Sequence, residues 1–165
     1  SGECAMGKYP VECVEAMVKI SKTIEHSVNY WKRFNRKNID IDPEDLEKNI
    51  AYTTCISAEK LNADAIVAYT HKGDSVRNIA GFGPECPILA ITDSEQTYYQ
   101  LAVAWNTTPI LVKGEKTIED TIQKGIEILE NEGILEKGDK VVLAGGPKIL
   151  PNATENKVTG GVARV

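Results

Sequence analysis

Glu59-Lys-Leu-Asn-Ala-Asp-Ala-Ile-Val-Ala-Tyr-Thr-His-Lys-Gly-Asp-Ser-Val-Arg77 runs from the end of one helix, through a short apolar strand and a polar turn, into a second helix. The run Ala65-Ile-Val-Ala-Tyr69 is apolar at consecutive positions and bounded by turn residues, as expected of a strand buried on both faces. Gly73 supplies backbone freedom and Ser75 suits a helix cap. A turn of this kind joins the carboxyl end of a strand to the amino end of a helix, where anions bind.

The same grammar repeats downstream. Ile88-Leu-Ala-Ile91, Pro109-Ile-Leu-Val112 and Lys140-Val-Val-Leu143 read as further buried strands, and Val158–Val165 as a last one weakened by Gly160-Gly161. Helices fit between them at roughly Ser75–Gly81, Ser94–Trp105 and Thr117–Glu132. In the last of these, Ile118, Ile122, Ile126 and Leu129 share one face and Gly133 marks a stop. Upstream, Asp42-Pro43 supplies an N-cap and a first-turn proline for a helix reaching about Leu61. Strands alternating with helices across crossover-length spacers imply a mostly parallel sheet with right-handed connections. The expected fold class is α/β, a three-layer α/β/α sandwich.

Before this pattern, Val14, Met17, Val18, Ile24, Val28 and Trp31 recur at three- and four-residue intervals from Pro10 onward, giving a helix with one apolar face that something must cover. Arg33 to Asp42 interrupts the periodicity and reads as a linker. The expected organisation is residues 1–35 as a terminal helix with its linker and 36–165 as the α/β domain.

At 165 residues the chain has room for one ordinary domain and an extra element. No apolar run approaches the ~20 residues that span a bilayer, so no membrane role is expected. A formal net charge of −5 argues against broad nucleic-acid binding, which needs clustered Lys and Arg. Cys4, Cys13, Cys55 and Cys86 are scattered without Cys-x-x-Cys spacing, and His26 and His71 stand apart from them, so no metal site is expected. Reduced thiols fit a cytoplasmic protein. The start carries no charged-then-apolar leader, although Ser1 reads as a cut end of something longer.

Several segments resemble the C-terminal region of pyruvate kinase, in the family's order. Ser1-Gly-Glu-Cys-Ala-Met-Gly-Lys-Tyr-Pro10 is similar to a segment near the end of the catalytic barrel, with Cys4 where threonine is usual. Lys60-Leu-Asn-Ala63, the Thr70-x-x-Gly73-x-Ser75 turn, Cys86-Pro-Ile-Leu-Ala-Ile-Thr92, Gln100-Leu-Ala-Val-Ala-Trp105 and Pro109-Ile-Leu-Val112 follow. The resemblance implies about five strands, the last antiparallel, and a first segment that looks like the barrel's terminal helix. It implies the catalytic barrel as partner, a tetrameric parent enzyme using magnesium and potassium, and no cofactor in this segment. It also implies a regulatory and assembly role, without catalysis by this chain alone.

Candidate binding residues lie in two loops. In Thr70-His-Lys-Gly-Asp-Ser75, hydroxyls, the Lys72 ammonium and backbone N–H groups could cradle a phosphate, with His71 as a further contact. The alternative is a plain strand-to-helix turn. The resemblance places an effector's phosphate at Thr70, Gly73 and Ser75. It also marks two departures: Asp74 where arginine is common, and Lys72 where a small hydroxyl residue is common. The second loop, Ala144 through Asn156, offers Asn152, Thr154 and Asn156, which the resemblance implies fold over an effector; otherwise it is a solvated connection. A third segment, Asn106-Thr-Thr108, also qualifies as a strand-end position, and Trp105 reads as core or interface.

The segment Lys113-Gly-Glu-Lys-Thr117 lacks the arginine of fructose-bisphosphate-regulated relatives, so a sugar monophosphate or nucleotide is the better expectation. No G-x-G-x-x-G follows the first strand, which disfavours a nicotinamide cofactor, and no catalytic residue can be assigned. Two rival readings remain: a structural interface domain that binds no effector, and an independent small-molecule-binding or hydrolytic α/β protein.

Overall fold

A computed structural model describes residues 2–37, 39–145 and 160–164, the last stretch by its backbone. The chain divides into two compact units, Ser1–Tyr30 and Trp31–Val165.

In the first unit, α1 (Gly2–Met6) and α2 (Pro10–Glu25) form a helical hairpin. Pro10 occupies the first turn of α2, where its missing N–H costs nothing. The expected helix to Trp31 stops six residues early, at Glu25; His26 N–H bonds back to the Ile24 carbonyl and the chain leaves the helix. No residue of α2 is buried, and Val14, Met17, Val18 and Ile24 are each about half exposed.

The second unit begins at Trp31, two residues before the expected linker. Helix α3 (Tyr30–Arg36) continues through Arg33, because Phe34 is a core residue. Its ring packs against Trp31 edge-on at 5.8 Å and against Tyr52 at 5.5 Å, and Tyr52 in turn meets Phe82 at 5.5 Å. This aromatic chain turns a polar-looking stretch into a wall of the core, information absent from its local composition.

Helix α4 (Leu46–Leu61) is capped by Asp45, whose carboxylate accepts the Lys48 amide at 3.1 Å. The expected cap, Asp42, instead closes the preceding turn by accepting the Glu44 amide at 2.9 Å. Asn62 ends the helix in the left-handed region, φ 46°.

The sheet has the order β3-β2-β1-β4-β5, with β1 Ala65–Tyr69, β2 Ile88–Thr92, β3 Thr107–Leu111, β4 Lys140–Ala144 and β5 Gly160–Arg164. The first four strands are parallel and β5 joins β4 antiparallel, as expected. Strand alternation splits the core into two faces. Ile66, Ala68, Ile88, Ala90, Val142 and Ala144 face Ala51, Cys55, Ala58, Val76 and Ile79 of α4 and α5 (Asp74–Phe82), with Leu101 of α6 (Glu95–Leu101). Ala65, Val67, Leu89, Ile91, Ile110 and Val141 face Leu129, Ile122 and Ile126 of α7 (Ile118–Asn131).

This is the three-layer sandwich. Gly125 sets the spacing of its second face: a Cβ there would lie 2.5 to 2.9 Å from three atoms of the Ile91 side chain. Ser94 and Thr117 cap α6 and α7 by accepting the amides of Thr97 and Asp120.

Candidate functional site

From β1 the chain winds outward to β2 and β3 on one side and, later, to β4 on the other. The reversal opens a crevice beyond the carboxyl ends of β1 and β4, the position where open α/β sheets hold ligands. A cavity of about 430 Å³ lies there. Tyr69, Thr70, His71, Lys72, Asp74 and Ser75 line it from the β1–α5 turn, and Ala144 and Gly145 from the end of β4. Glu47, Ile50 and Ala51 of α4, with Ile79 of α5, complete it.

The turn is held closed by its own side chains. Thr70 is buried, and its Oγ1 accepts the Gly73 amide at 2.8 Å, so that N–H is already engaged. Gly73 caps α5 at φ 90°, a conformation that glycine adopts without strain; Ser75, expected as the cap, lies inside the first turn. The amides at the start of α5 therefore remain as the donors nearest the cavity.

His71 stands beside Asp93, Nδ1 to Oδ1 at 2.6 Å, while its carbonyl accepts the Thr97 hydroxyl at 2.7 Å. Lys72 makes no ion pair among the described residues, which leaves its ammonium available to an anion. At the end of β1, partial burial and the charge of Asp93 raise the Tyr69 phenol above its ordinary value, so it stays a neutral donor at physiological pH.

Asp74, the residue whose charge opposes a phosphate, is engaged by Arg77 one turn further on, Nη2 to Oδ1 at 2.9 Å. The same guanidinium nitrogen donates to the Lys72 carbonyl at 2.7 Å. Arg77 thus neutralises the carboxylate and braces the turn. Sequence reasoning missed this role, although the three-residue spacing of opposite charges on a helix signals it. Glu47, Ile50 and Ala51 were also missed; they reach the site through tertiary packing alone.

The other candidates divide. Asn152, Thr154 and Asn156 lie outside the described residues. Asn106-Thr-Thr108 does not join the site. Residues that precede a parallel strand lie at its amino end, and Asn106 there donates to the carbonyls of Glu85 and Cys86 at 3.1 Å each, tying the entry of β2. Trp105 is partly exposed and its indole reaches the Pro84 carbonyl at 3.4 Å. Lys113 pairs with Glu95 at 2.6 Å and does not line the cavity. Among the described residues no group of three or more His, Cys, Asp or Glu is placed to hold a metal ion, and no helix is long and apolar enough to cross a membrane.

The profile of the pyruvate kinase alpha/beta domain matches residues 48–158, more than half of the chain. The chain belongs to the pyruvate kinase family. It is 32% identical over 156 residues to a pyruvate kinase of Clostridium acetobutylicum, covering 94% of this chain and 33% of that protein. With a pyruvate kinase of Thermotoga maritima it shares 30% identity over 146 residues, 88% of this chain and 30% of the relative. Pyruvate kinase 2 of Synechocystis is 33% identical over 146 residues, 88% of this chain and 24% of the relative. The chain thus spans a quarter to a third of the length of these pyruvate kinases. The matched region of the pyruvate kinase domain contains every described residue of the cavity except Glu47.

Proposed function

We propose that the chain is the regulatory and subunit-assembly part of a pyruvate kinase, the glycolytic enzyme that moves a phosphoryl group from phosphoenolpyruvate to ADP, and that its switch-point cavity takes a phosphorylated effector. The observation that carries the reading is the meeting of Thr70, His71, Lys72 and Ser75 with the end of β4 around one cavity of about 430 Å³. One cation suits one phosphate: the Lys72 ammonium stands at the turn, and apolar walls from Ile50, Ala51 and Ile79 leave room for the rest of the ligand. A sugar monophosphate or a nucleotide fits that inventory better than a bisphosphate.

Phosphoryl transfer, with its magnesium and potassium, belongs on this reading to a catalytic barrel elsewhere in the cytoplasmic parent enzyme, and this chain alone is inactive. The effector would act by binding one arrangement of the tetramer more tightly than the other, since a ligand shifts an equilibrium only through such a difference. Asn152, Thr154 and Asn156 are proposed to cover the bound ligand.

The test is isothermal titration of the chain with fructose 1,6-bisphosphate, ribose 5-phosphate, glucose 6-phosphate and AMP, beside a Ser75→Asp variant. Saturable binding of a monophosphate that the variant abolishes supports the effector site. A folded chain that binds none of the four overturns it in favour of an assembly domain without effector. That second reading draws on Glu47 and Asp74, two carboxylates at the same cavity.

A further inference from the structure

Two of the four cysteines are buried and two stand side by side. Cys55 and Cys86 are buried in the sheet unit, and burial pushes their thiols up to about 12 and about 11. At neutral pH both stay protonated, out of reach of oxidants. Cys4 of α1 and Cys13 of α2 are half-buried, and their sulfurs stand 2.7 Å apart. A disulfide bond measures about 2.05 Å, so only a fraction of an ångström separates this contact from a covalent link.

The hairpin that brings them together is built locally. The Glu3 carboxylate accepts the Tyr9 amide at 2.8 Å, the Gly7 amide closes α1 on the Glu3 carbonyl at 3.0 Å, and the Cys13 amide bonds to the Tyr9 carbonyl at 3.1 Å. A Cβ at Gly7 would meet the end of the Glu3 side chain, which would have to swing aside. These bonds hold the hairpin with the two thiols facing each other.

We propose that Cys4 and Cys13 are a reversible dithiol–disulfide couple that staples α1 to α2. With a small-molecule disulfide such as oxidised glutathione, the Cys4 thiolate attacks one sulfur, forms a mixed disulfide and expels a glutathione thiolate, which takes up a proton. Cys13 then loses its proton and attacks the Cys4 sulfur, expelling the second glutathione. The protein gives up two protons and two electrons, and glutathione disulfide is reduced to two thiols. The Cys13 thiol is held above its ordinary value, first by its hydrogen bond to Cys4 and then by burial and the charge of Cys4, so Cys4 makes the first attack; in the mixed disulfide that hydrogen bond and charge are gone, and Cys13 ionises for the second.

The experiment is equilibration of the full chain in glutathione buffers of graded ratio, followed by blocking of free thiols, unfolding with a second blocking label, trypsin digestion and mass spectrometry without reductant. The expected product is lighter by two hydrogens and yields the peptide Ser1–Lys8 linked to Tyr9–Lys19, with Cys55 and Cys86 carrying the second label. Cys4→Ser and Cys13→Ser should each abolish the link and stop at a single glutathione adduct. A pair that stays reduced in fully oxidised glutathione overturns the proposal. So does a chain that holds glutathione stably on both sulfurs, or one that joins to a second copy through either. None of these readouts depends on the effector cavity.

Discussion

The two units of this chain carry apolar faces of similar residue content that meet opposite fates. In the sheet unit, Leu129, Ile66, Ile88 and Ile91 are withdrawn from water and packed in the two core faces. In α2, Val14, Met17, Val18 and Ile24 repeat at helical spacing as regularly, yet none is buried. Periodicity states that a face is adhesive; it does not state what covers it. Only area removed from water stabilises, so the α2 face contributes little to the fold of this chain and remains available for burial elsewhere. On the functional reading proposed above, the occupant is the barrel of the parent enzyme.

The sharpest way to break this comparison is a pair of truncations measured by urea unfolding. Leu129→Ala removes a fully buried side chain and should cost about 2–5 kcal/mol. Met17→Ala, on an exposed face, should stay within about 0.5 kcal/mol. Equal losses would mean that α2 is packed as tightly as α7. Next in size is Gly125→Ala. The added methyl must displace Ile91, which is fully buried and has nowhere to move, so a loss of about 1–3 kcal/mol is expected despite the better helix propensity of alanine.

A smaller effect tests whether local signals suffice inside the sheet unit. Ser94→Ala deletes the oxygen that accepts the Thr97 amide and should cost about 1 kcal/mol, read as a lowered melting temperature. The smallest is a pH effect at Asp45. Its carboxyl lies below the ordinary carboxylate range because of its bonds to the Lys48 side chain and amide. The sign follows: a depressed folded-state value gives stability that is complete above the unfolded value near 3.8 and lost as pH falls through the folded one. Asp45→Asn should therefore lower stability slightly at neutral pH, leave it unchanged in acid below the folded-state value, and so flatten the acid limb of the stability curve.

Most of the fold was legible because local and global preferences agree. The β1 stretch is bounded in the structure as the sequence suggested, Ala65 to Tyr69, since an unbroken apolar run between turn residues has little else to become. The expected cap failed: Asp42 precedes a proline, yet the helix begins at Leu46 with Asp45 as its cap, one turn closer to the apolar face that α4 must bury. Phe34 was hidden among charges because its partner Tyr52 lies on another helix and meets it only in the tertiary fold, although Trp31 stands one turn before it on α3. The site shows the same division. Its turn was readable from Thr70, Gly73 and Ser75, whereas the α4 wall of Glu47, Ile50 and Ala51 comes from a helix whose sequence carries no mark of a ligand.

The topology of the sheet has a consequence in time as well as in space. Strand β1 pairs with β2 across a short stretch of sequence, Ile66 beside Ile88, but with β4 across a long one, Ile66 beside Val142. Closing the longer loop carries the greater entropic cost, so during folding, and during synthesis on the ribosome, β1 and β2 should gain amide protection before β4 docks. Pulsed hydrogen exchange would resolve the order. The switch-point cavity draws one wall from each side of that delay, which makes it a late product of folding: a nascent chain can possess the Thr70–Ser75 turn well before it possesses a place to hold a ligand.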